Sequence, residues 1–129
     1  MRLKKIVMAI ACASIVALTG MATPANAATG KNGILEVGEF GLYWLQFQGG
    51  PVFDLDISDS NFAGQYFPGT SILADNNTES YRSRDTLWWH VFTGSNYTGF
   101  HGCLPPAYIG NASATFKDTI SSVYHDISC

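Results

Sequence analysis

The sequence predicts an all-β sandwich closed by one disulfide, and three observations lead to this fold class. After residue 27, no stretch sustains a 3.6-residue apolar period. Short segments alternate apolar and polar residues instead, and residues 86–93 are rich in aromatic and β-branched side chains, as in a buried strand. Gly, Asn, Asp and Pro separate these segments at close intervals, as turns do. A chain of 129 residues is long enough for one such domain.

The first 27 residues are predicted to be a secretory signal peptide. A basic start precedes an apolar run over residues 6–18, which is too short to span a bilayer, and Ala25-Asn26-Ala27 fits a signal-peptidase site. Cleavage would leave residues 28–33 as a short lead and residues 34–129 as the domain. We therefore expect a secreted, extracellular protein without stable membrane insertion.

Charge and cysteine content narrow the function classes further. The part after residue 27 holds four Lys and Arg against all ten carboxylates, a formal charge of 4 − 10 = −6, which argues against nucleic-acid binding. Its two cysteines, Cys103 and Cys129, are expected to form one disulfide, because the compartment is oxidising and the core is small. We expect a monomer.

One predicted strand carries the carboxylates that an enzyme would use. Asp54 and Asp56 alternate with Phe53, Leu55 and Ile57, which predicts one buried and one solvated face. Two carboxylates about 7 Å apart would suit a glycosidase, but a solvated strand face is the commoner origin of this pattern. The three histidines lack the spacing of a zinc site, and no catalytic motif occurs, so an enzyme is not predicted.

Two stretches of the chain share a pattern. Residues 42–49 (LYWLQFQG) and 92–99 (FTGSNYTG) each contain a large apolar residue, four further residues, an aromatic residue, one more residue and Gly. Residues 76–80 (NNTES) and 117–121 (KDTIS) then resemble each other. The same order occurs twice, which indicates two copies of one motif.

This pattern resembles the Greek-key motif of the βγ-crystallin superfamily. The resemblance implies two four-stranded sheets packed as a sandwich, with motif 1 over about 34–84 and motif 2 over about 85–129. A narrower similarity is to small secreted proteins of peptidase inhibitor family I36. The stretches that carry it are residues 38–43 (GEFGLY), the Asn-Asn loop, residues 94–99 (GSNYTG) and residues 111–117 (NASATFK).

The superfamily resemblance implies calcium as a cofactor, since loops rich in amide, carboxylate and hydroxyl oxygens suit Ca²⁺. The ligand positions that it implies are Asn76, Asn77 and Ser80 in the first loop, and Asp118, Ser121 and Ser122 in the second. Tyr81 and Lys117 depart from the pattern, and an ammonium group disfavours a nearby dication. The alternative is that these side chains only cap turns.

The family resemblance implies a peptidase inhibitor that presents a loop to an extracellular protease, with metalloproteinases as the target class. The loop implied by position consists of Ser71, Ile72, Leu73, Ala74 and Asp75. Family inhibitors have Cys where this chain has Gly41 and Leu73, so the bridge that would brace the loop is absent. Alternatively, Ile72 and Leu73 belong to a strand that enters the core and are not part of an exposed inhibitory loop. The alternative function is a non-inhibitory calcium-binding or structural module, or a killer-toxin-like protein.

Overall fold

The computed structural model describes residues 28–129, and the predicted signal peptide lies outside them. Within the described part, no helix is long and apolar enough to cross a membrane. Residues 28–129 form seven strands: β1 (Phe40–Leu45), β2 (Gly49–Leu55), β3 (Ser80–Ser83), β4 (Trp88–Gly94), β5 (Thr98–Leu104), β6 (Ile109–Asn111) and β7 (Ser122–Asp126). The turn Gln46–Gln48, in which Phe47 has a left-handed backbone (φ 57°), links β1 to β2.

The strands pair in two antiparallel sheets, ordered β2-β1-β3-β6 and β5-β4-β7. A single bridge between Asp59 and Val123 adds a short fourth segment beside β7. Each sheet thus combines three strands from one half of the chain with one piece from the other half. This arrangement confirms the predicted Greek-key sandwich.

Apolar side chains from alternate strand positions fill the space between the sheets. Phe40 of β1 and Trp89 of β4 stack at its centre, with ring centroids 4.9 Å apart, and both are fully buried. Phe53 packs edge-on against Phe62 and Phe67 at one end. Burial of each such ring stabilises the fold by about 1.5–3 kcal/mol relative to exposure, which explains why the aromatic residues dominate the core.

The hairpins of the two halves superpose in the structure with an alignment that differs by one residue from the alignment made on the sequence. The register shifts between Tyr43 and Leu45 in the first hairpin and between Phe92 and Gly94 in the second. On this correspondence Gly50 and Gly99 occupy the same position, with φ of 71° and 82°. Gln48 therefore corresponds to Tyr97, whereas the sequence pattern pairs Phe47 with Tyr97. The pattern was misleading because Gly49 and Gly50 are adjacent, and only the second takes the left-handed conformation.

The alternation predicted for β2 is half right. Phe53 and Leu55 lie in the core, each 1% exposed, as predicted. Asp54, however, is fully buried, because its carboxylate accepts the backbone N–H groups of Asn32 and Gly33, at 3.0 and 2.7 Å. Ile57 is 64% exposed, since β2 ends before it. The predicted solvated face is therefore wrong, because the segment before β1 covers it.

The predicted disulfide is present. Cys103 of β5 is bonded to Cys129, and their Cα atoms lie 6.0 Å apart. The bond fastens the end of the chain to the outer side of the second sheet, because Cys103 pairs with His90 and points away from the core residues on either side of it.

Candidate functional site

The segment predicted to be inhibitory forms one arm of a small hairpin, here called the 66–75 hairpin. Tyr66 and Leu73 form a bridge at its base. The N–H of Phe67 donates to the carbonyl of Ile72 at 2.9 Å, and the N–H of Ala74 donates to the carbonyl of Gln65 at 2.8 Å. The backbone of this segment is therefore fixed by hydrogen bonds to the opposite arm of the hairpin.

Side chains of the hairpin divide between core and solvent. Ile72 packs against the core and Ala74 is 1% exposed, so these two residues anchor the segment, as the strand alternative proposes. Leu73 is 44% exposed and Tyr66 is 51% exposed. Tyr66 was not among the predicted site residues. The Pro-Gly turn between Tyr66 and Leu73 was the signal that could have brought them together.

Asn77 and Asp75, two polar residues at the end of the hairpin, have different roles. The side-chain Nδ2 of Asn77 donates to the carbonyl of Leu73 at 2.8 Å, so this amide holds the hairpin. One buried oxygen of Asp75, Oδ1, has no hydrogen-bond partner in the part of the chain that the structure describes. A buried acceptor without a partner is costly, so it marks a place where a water or a cation would be stabilised.

The two loops expected to bind calcium meet across the pseudo-twofold axis. The N–H of Asn76 donates to the carbonyl of Ile120 at 3.0 Å, and that of Asp118 donates to the carbonyl of Thr78 at 2.8 Å. Asn76 and Asp118 both have left-handed backbones, with φ of 60° and 57°. Asn76 therefore corresponds to Asp118, again one residue from the match made on the sequence.

Oxygen atoms come together on both sides of this axis. The Ser121 hydroxyl donates to Oδ1 of Asn76 at 3.1 Å. On the equivalent side, burial raises the pKa of Asp118, and the neighbouring carboxylate of Glu79 raises it further, while Lys117 lowers it. Glu79 was missed on the sequence, because the shifted match placed Asp118 opposite Asn77.

Ser80 and Ser122 hydrogen-bond to the backbone of the two strand-connecting turns. The Ser80 hydroxyl donates to the carbonyl of Leu45 at 2.6 Å and accepts the N–H of Gln48 at 2.9 Å. The Ser122 hydroxyl makes the equivalent bonds to Gly94 and Tyr97, at 2.6 and 3.0 Å. Both serines are fully buried. Among residues 28–129, no group of three or more His, Cys, Asp and Glu side chains is arranged to hold a metal ion.

Two histidines form a hydrogen-bonded pair on the outer side of the second sheet. Nδ1 of His90 lies 2.7 Å from Nε2 of His101, and Nε2 of His90 lies 2.9 Å from the carbonyl of Ser128. A carbonyl only accepts, so Nε2 of His90 carries a proton. These two contacts join β4 and β5 to the segment at Ser128.

Known structures and families agree with this geometry. A βγ-crystallin domain from a study of the evolution of the eye-lens fold superposes with a TM-score of 0.60 at 17% identity, covering 81% of this chain and 94% of that chain. The βγ-crystallin of Ciona intestinalis gives 0.56 at 22%, covering 69% and 100%. A βγ-crystallin domain from Flavobacterium johnsoniae gives 0.55 at 20%, covering 71% and 96%. These likenesses establish the fold alone.

No curated protein matches the sequence. The model of peptidase inhibitor family I36 matches residues 36–104, which is more than half of the chain. The matched stretch runs from the turn before β1 through the 66–75 hairpin to the end of β5. The chain therefore belongs to peptidase inhibitor family I36, on a βγ-crystallin fold.

Proposed function

We propose that the protein is exported and inhibits an extracellular metalloproteinase through the 66–75 hairpin. The observation that carries this proposal is the division of that hairpin, in which Ile72 and Ala74 are anchored in the core while Tyr66 and Leu73 project together. Membership in the inhibitor family supports the class of partner. The disulfide supports an oxidising compartment.

Backbone order supports this role for the hairpin. A loop already held in one conformation loses little entropy on binding, so more of the contact energy becomes affinity. Here the bonds from Phe67, Ala74 and Asn77 take the place of a covalent brace. Leu73 would occupy an apolar specificity pocket of the enzyme, and Tyr66 would cover its rim.

The test is a titration against a thermolysin-like metalloproteinase and, in parallel, a serine protease. We expect inhibition of the metalloproteinase, and a Leu73→Ala variant weakened about 10- to 100-fold, the range of an interface anchor. Ile57→Ala is the matched control, because Ile57 is an exposed aliphatic residue outside the hairpin, and its inhibition should stay within about twofold. No inhibition by the unmodified protein at micromolar concentration would reject the proposal.

Tyr66 gives an independent check on which surface is used. Tyr66→Ala should also weaken inhibition, because its ring lies beside Leu73 on the same exposed side. If the Tyr66 and Leu73 variants inhibit as well as the unmodified protein, the inhibitory surface lies outside this hairpin. Thermal unfolding of each variant would separate lost contacts from lost fold.

A second candidate function is a calcium-stabilised module. The observation that favours it is the pairing of Asp118 with Glu79: burial raises the pKa of Asp118, and the hydrogen-bonded carboxylate of Glu79 raises it further. A cation between these two carboxylates would relieve their repulsion. Across the pseudo-twofold axis, Asn76 and Ser121 offer neutral oxygens. Lys117 and the braced Ser80 count against a full set of ligands.

Thermal unfolding with calcium and with chelator tests this candidate. A site saturated at 100 times its Kd adds about 2.7 kcal/mol to the free energy of unfolding. Glu79→Gln should abolish that gain, whereas Glu36→Gln, a control at the segment before β1, should keep it. An unchanged midpoint at millimolar calcium would exclude the module.

A further inference from the structure

The segment before β1 contains Asn32-Gly33, the single Asn-Gly pair in the sequence. Such a pair is chemically labile, because the backbone nitrogen of the glycine can attack the side-chain carbonyl carbon of the asparagine. Glycine favours this attack, since it has no Cβ to hinder the approach and its backbone adopts many conformations. Asn32 is exposed, so water reaches the product of the attack.

The fold engages the reacting groups of this pair in hydrogen bonds. The Gly33 N–H donates to Oδ1 of Asp54 at 2.7 Å, and the Asn32 N–H donates to Oδ2 at 3.0 Å. In the Asn32 side chain, Oδ1 accepts the N–H of Ile34 at 2.9 Å, and Nδ2 donates to Oε1 of Glu36 at 3.2 Å. Both backbone N–H groups and the side-chain amide of the pair are therefore held.

Two of these bonds oppose the reaction directly. Attack requires that the Gly33 nitrogen lose the proton that it donates to Asp54, which leaves a second negative charge beside the carboxylate. Repulsion between two such charges disfavours this step. The leaving group is Nδ2 of Asn32, which must give up its bond to Glu36. The folded segment therefore protects the pair, and reaction requires that the segment open first.

We propose that Asn32 is a deamidation site guarded by Asp54, and that it is converted while the segment before β1 is open. The Gly33 nitrogen loses its proton to solvent and forms a bond to Cγ of Asn32, and Nδ2 takes up a proton and leaves as ammonia. Water then opens the five-membered imide at either carbonyl, which gives aspartate or isoaspartate at position 32. Water is the sole co-reactant, and nothing is oxidised or reduced.

The products do not restore the original contacts. Isoaspartate adds a methylene to the main chain before Gly33, which moves the Gly33 N–H away from Oδ1 of Asp54. Aspartate keeps the main chain but places a carboxylate oxygen where Nδ2 donated to Glu36, so two negative charges face each other. Conversion of Asn32 therefore leaves the segment open for a larger fraction of the time.

The loop that contains the pair also packs against the 66–75 hairpin. A Cβ at Gly33 would lie 3.4 Å from Cβ of Pro68, so the loop backbone lies against the turn of that hairpin. The modification site is thus in contact with the surface that we propose for inhibition, and this consequence rests on the proposed function.

An ion pair provides a second support. Nζ of Lys31 lies 2.8 Å from Oδ2 of Asp59, and the same oxygen accepts Nε2 of Gln65 at 2.9 Å. The carbonyl of Gln65 in turn accepts the N–H of Ala74 at the base of the hairpin. Opening of the segment would remove both supports, so conversion of Asn32 should loosen the hairpin.

The experiment follows deamidation by peptide mass spectrometry, after incubation of the purified protein at mildly alkaline pH. We expect slow conversion of Asn32 in the folded protein and fast conversion in urea, because unfolding removes the guarding bonds. In folded Asp54→Asn the rate should rise roughly 5- to 30-fold, as the population of the open segment rises. Asp56→Asn, at a partly exposed neighbour, is the matched control and should change the rate by no more than about twofold.

Equal rates in the folded and the unfolded protein would overturn the guard, as would an unchanged rate in Asp54→Asn. Absence of conversion at Asn32 in urea would overturn the site. Where Asp54→Asn does not fold, hydrogen exchange of the Gly33 amide in the unmodified protein takes its place. At low urea concentrations deamidation and this exchange should accelerate together, and deamidation that does not follow exchange would overturn the proposal.

Asn32→Gln identifies the reacting side chain, because its longer side chain does not form the five-membered imide. A mass change that persists in this variant would belong to another amide and would overturn the assignment to Asn32.

The deamidated protein gains a negative charge, so ion exchange separates it for the final comparison. We expect faster hydrogen exchange of the Phe67 and Ala74 amides, while the amides of β4 stay protected, and severalfold weaker inhibition of the metalloproteinase. Unchanged exchange of these two amides would overturn the support of the hairpin. If the unmodified protein inhibits no protease, the proposed function fails, while mass spectrometry and exchange still decide this inference.

Discussion

The two halves of the molecule fasten their terminal segments at the same Greek-key position by different chemistry. In the first half, Asp54 binds the N–H groups of Asn32 and Gly33. In the second half, the equivalent residue is Cys103, which is bonded to Cys129. The same position is thus tied to a terminal segment in both halves, by hydrogen bonds in one and by a covalent bond in the other.

Of the changes that test this comparison, loss of the disulfide should lower the free energy of unfolding the most. Cys103→Ser removes a cross-link spanning 26 residues, which should lower the free energy of unfolding by about 3.5 kcal/mol on the chain-entropy model. Chemical denaturation with and without reductant measures the loss. A reductant that leaves the denaturation midpoint of the unmodified protein unchanged would contradict it.

Glu39 should make the first half sensitive to pH. It is fully buried and accepts the N–H of Glu36 at 2.6 Å, and burial raises its pKa from 4.5 to about 7. Between these values the folded state holds a proton that the unfolded state has lost, so stability falls as the pH rises from about 4.5 through 7. The loss should approach about 3 kcal/mol at pH 8.

Glu39→Gln tests this directly, because the amide cannot ionise. Denaturant unfolding at pH 5 and pH 8 should show a smaller difference for the variant than for the unmodified protein. Parallel pH profiles for the two proteins would contradict the assignment. The second half has Trp88 at the equivalent position, so no matching carboxyl is present there.

Asp54→Asn should release the segment before β1. One carboxylate oxygen becomes an NH₂ group facing a backbone N–H, so a charge-assisted bond is lost and stability should fall by about 2 kcal/mol. Hydrogen exchange of the Asn32 and Gly33 amides should accelerate, while the amides of β4 remain protected. Asp56→Asn, at a partly exposed neighbour, is the control.

The serine braces should behave alike in both halves. Ser80→Ala and Ser122→Ala each remove a buried hydroxyl that makes two hydrogen bonds, so each should cost about 1–2 kcal/mol. Urea unfolding of the two variants measures this. A large difference between them would show that one hairpin is held mainly by other contacts.

The hairpin tips should show the smallest effect. Phe47 is 78% exposed, whereas the second hairpin folds Tyr97 against Phe92, with ring centroids 5.7 Å apart. Phe47→Ala should therefore change stability by less than about 0.5 kcal/mol. Tyr97→Ala should cost more, and thermal unfolding of both proteins makes the comparison.

The sequence predicted the fold well because alternation within strands and the repeated motif are both local patterns. Alternation placed Phe53 and Leu55 in the core, and the repeat indicated two copies of one motif, which resembles the βγ-crystallin Greek key. The site was harder to predict, because it depends on contacts between distant segments. The burial of Asp54 requires residues 32 and 33, and the pairing of Glu79 with Asp118 requires the pseudo-twofold axis.

The register error has a local origin, in the turn between β1 and β2. Aromatic-x-Gly is ambiguous where Gly49 and Gly50 follow Phe47 and Gln48, and only the backbone angles identify Gly50 as the left-handed residue. A pattern search that required a buried Ser to bond the hairpin would have aligned Ser80 with Ser122.

The exchange of edge segments between the sheets has a consequence for folding. Because β6 completes the sheet of the first half and the segment at Asp59 extends that of the second, each half presents an unsatisfied edge until the other is in place. A fragment that ends before β4 would expose that edge to other chains and would aggregate. The repeat is thus a unit of sequence but not of stability, and the domain should unfold in one cooperative transition.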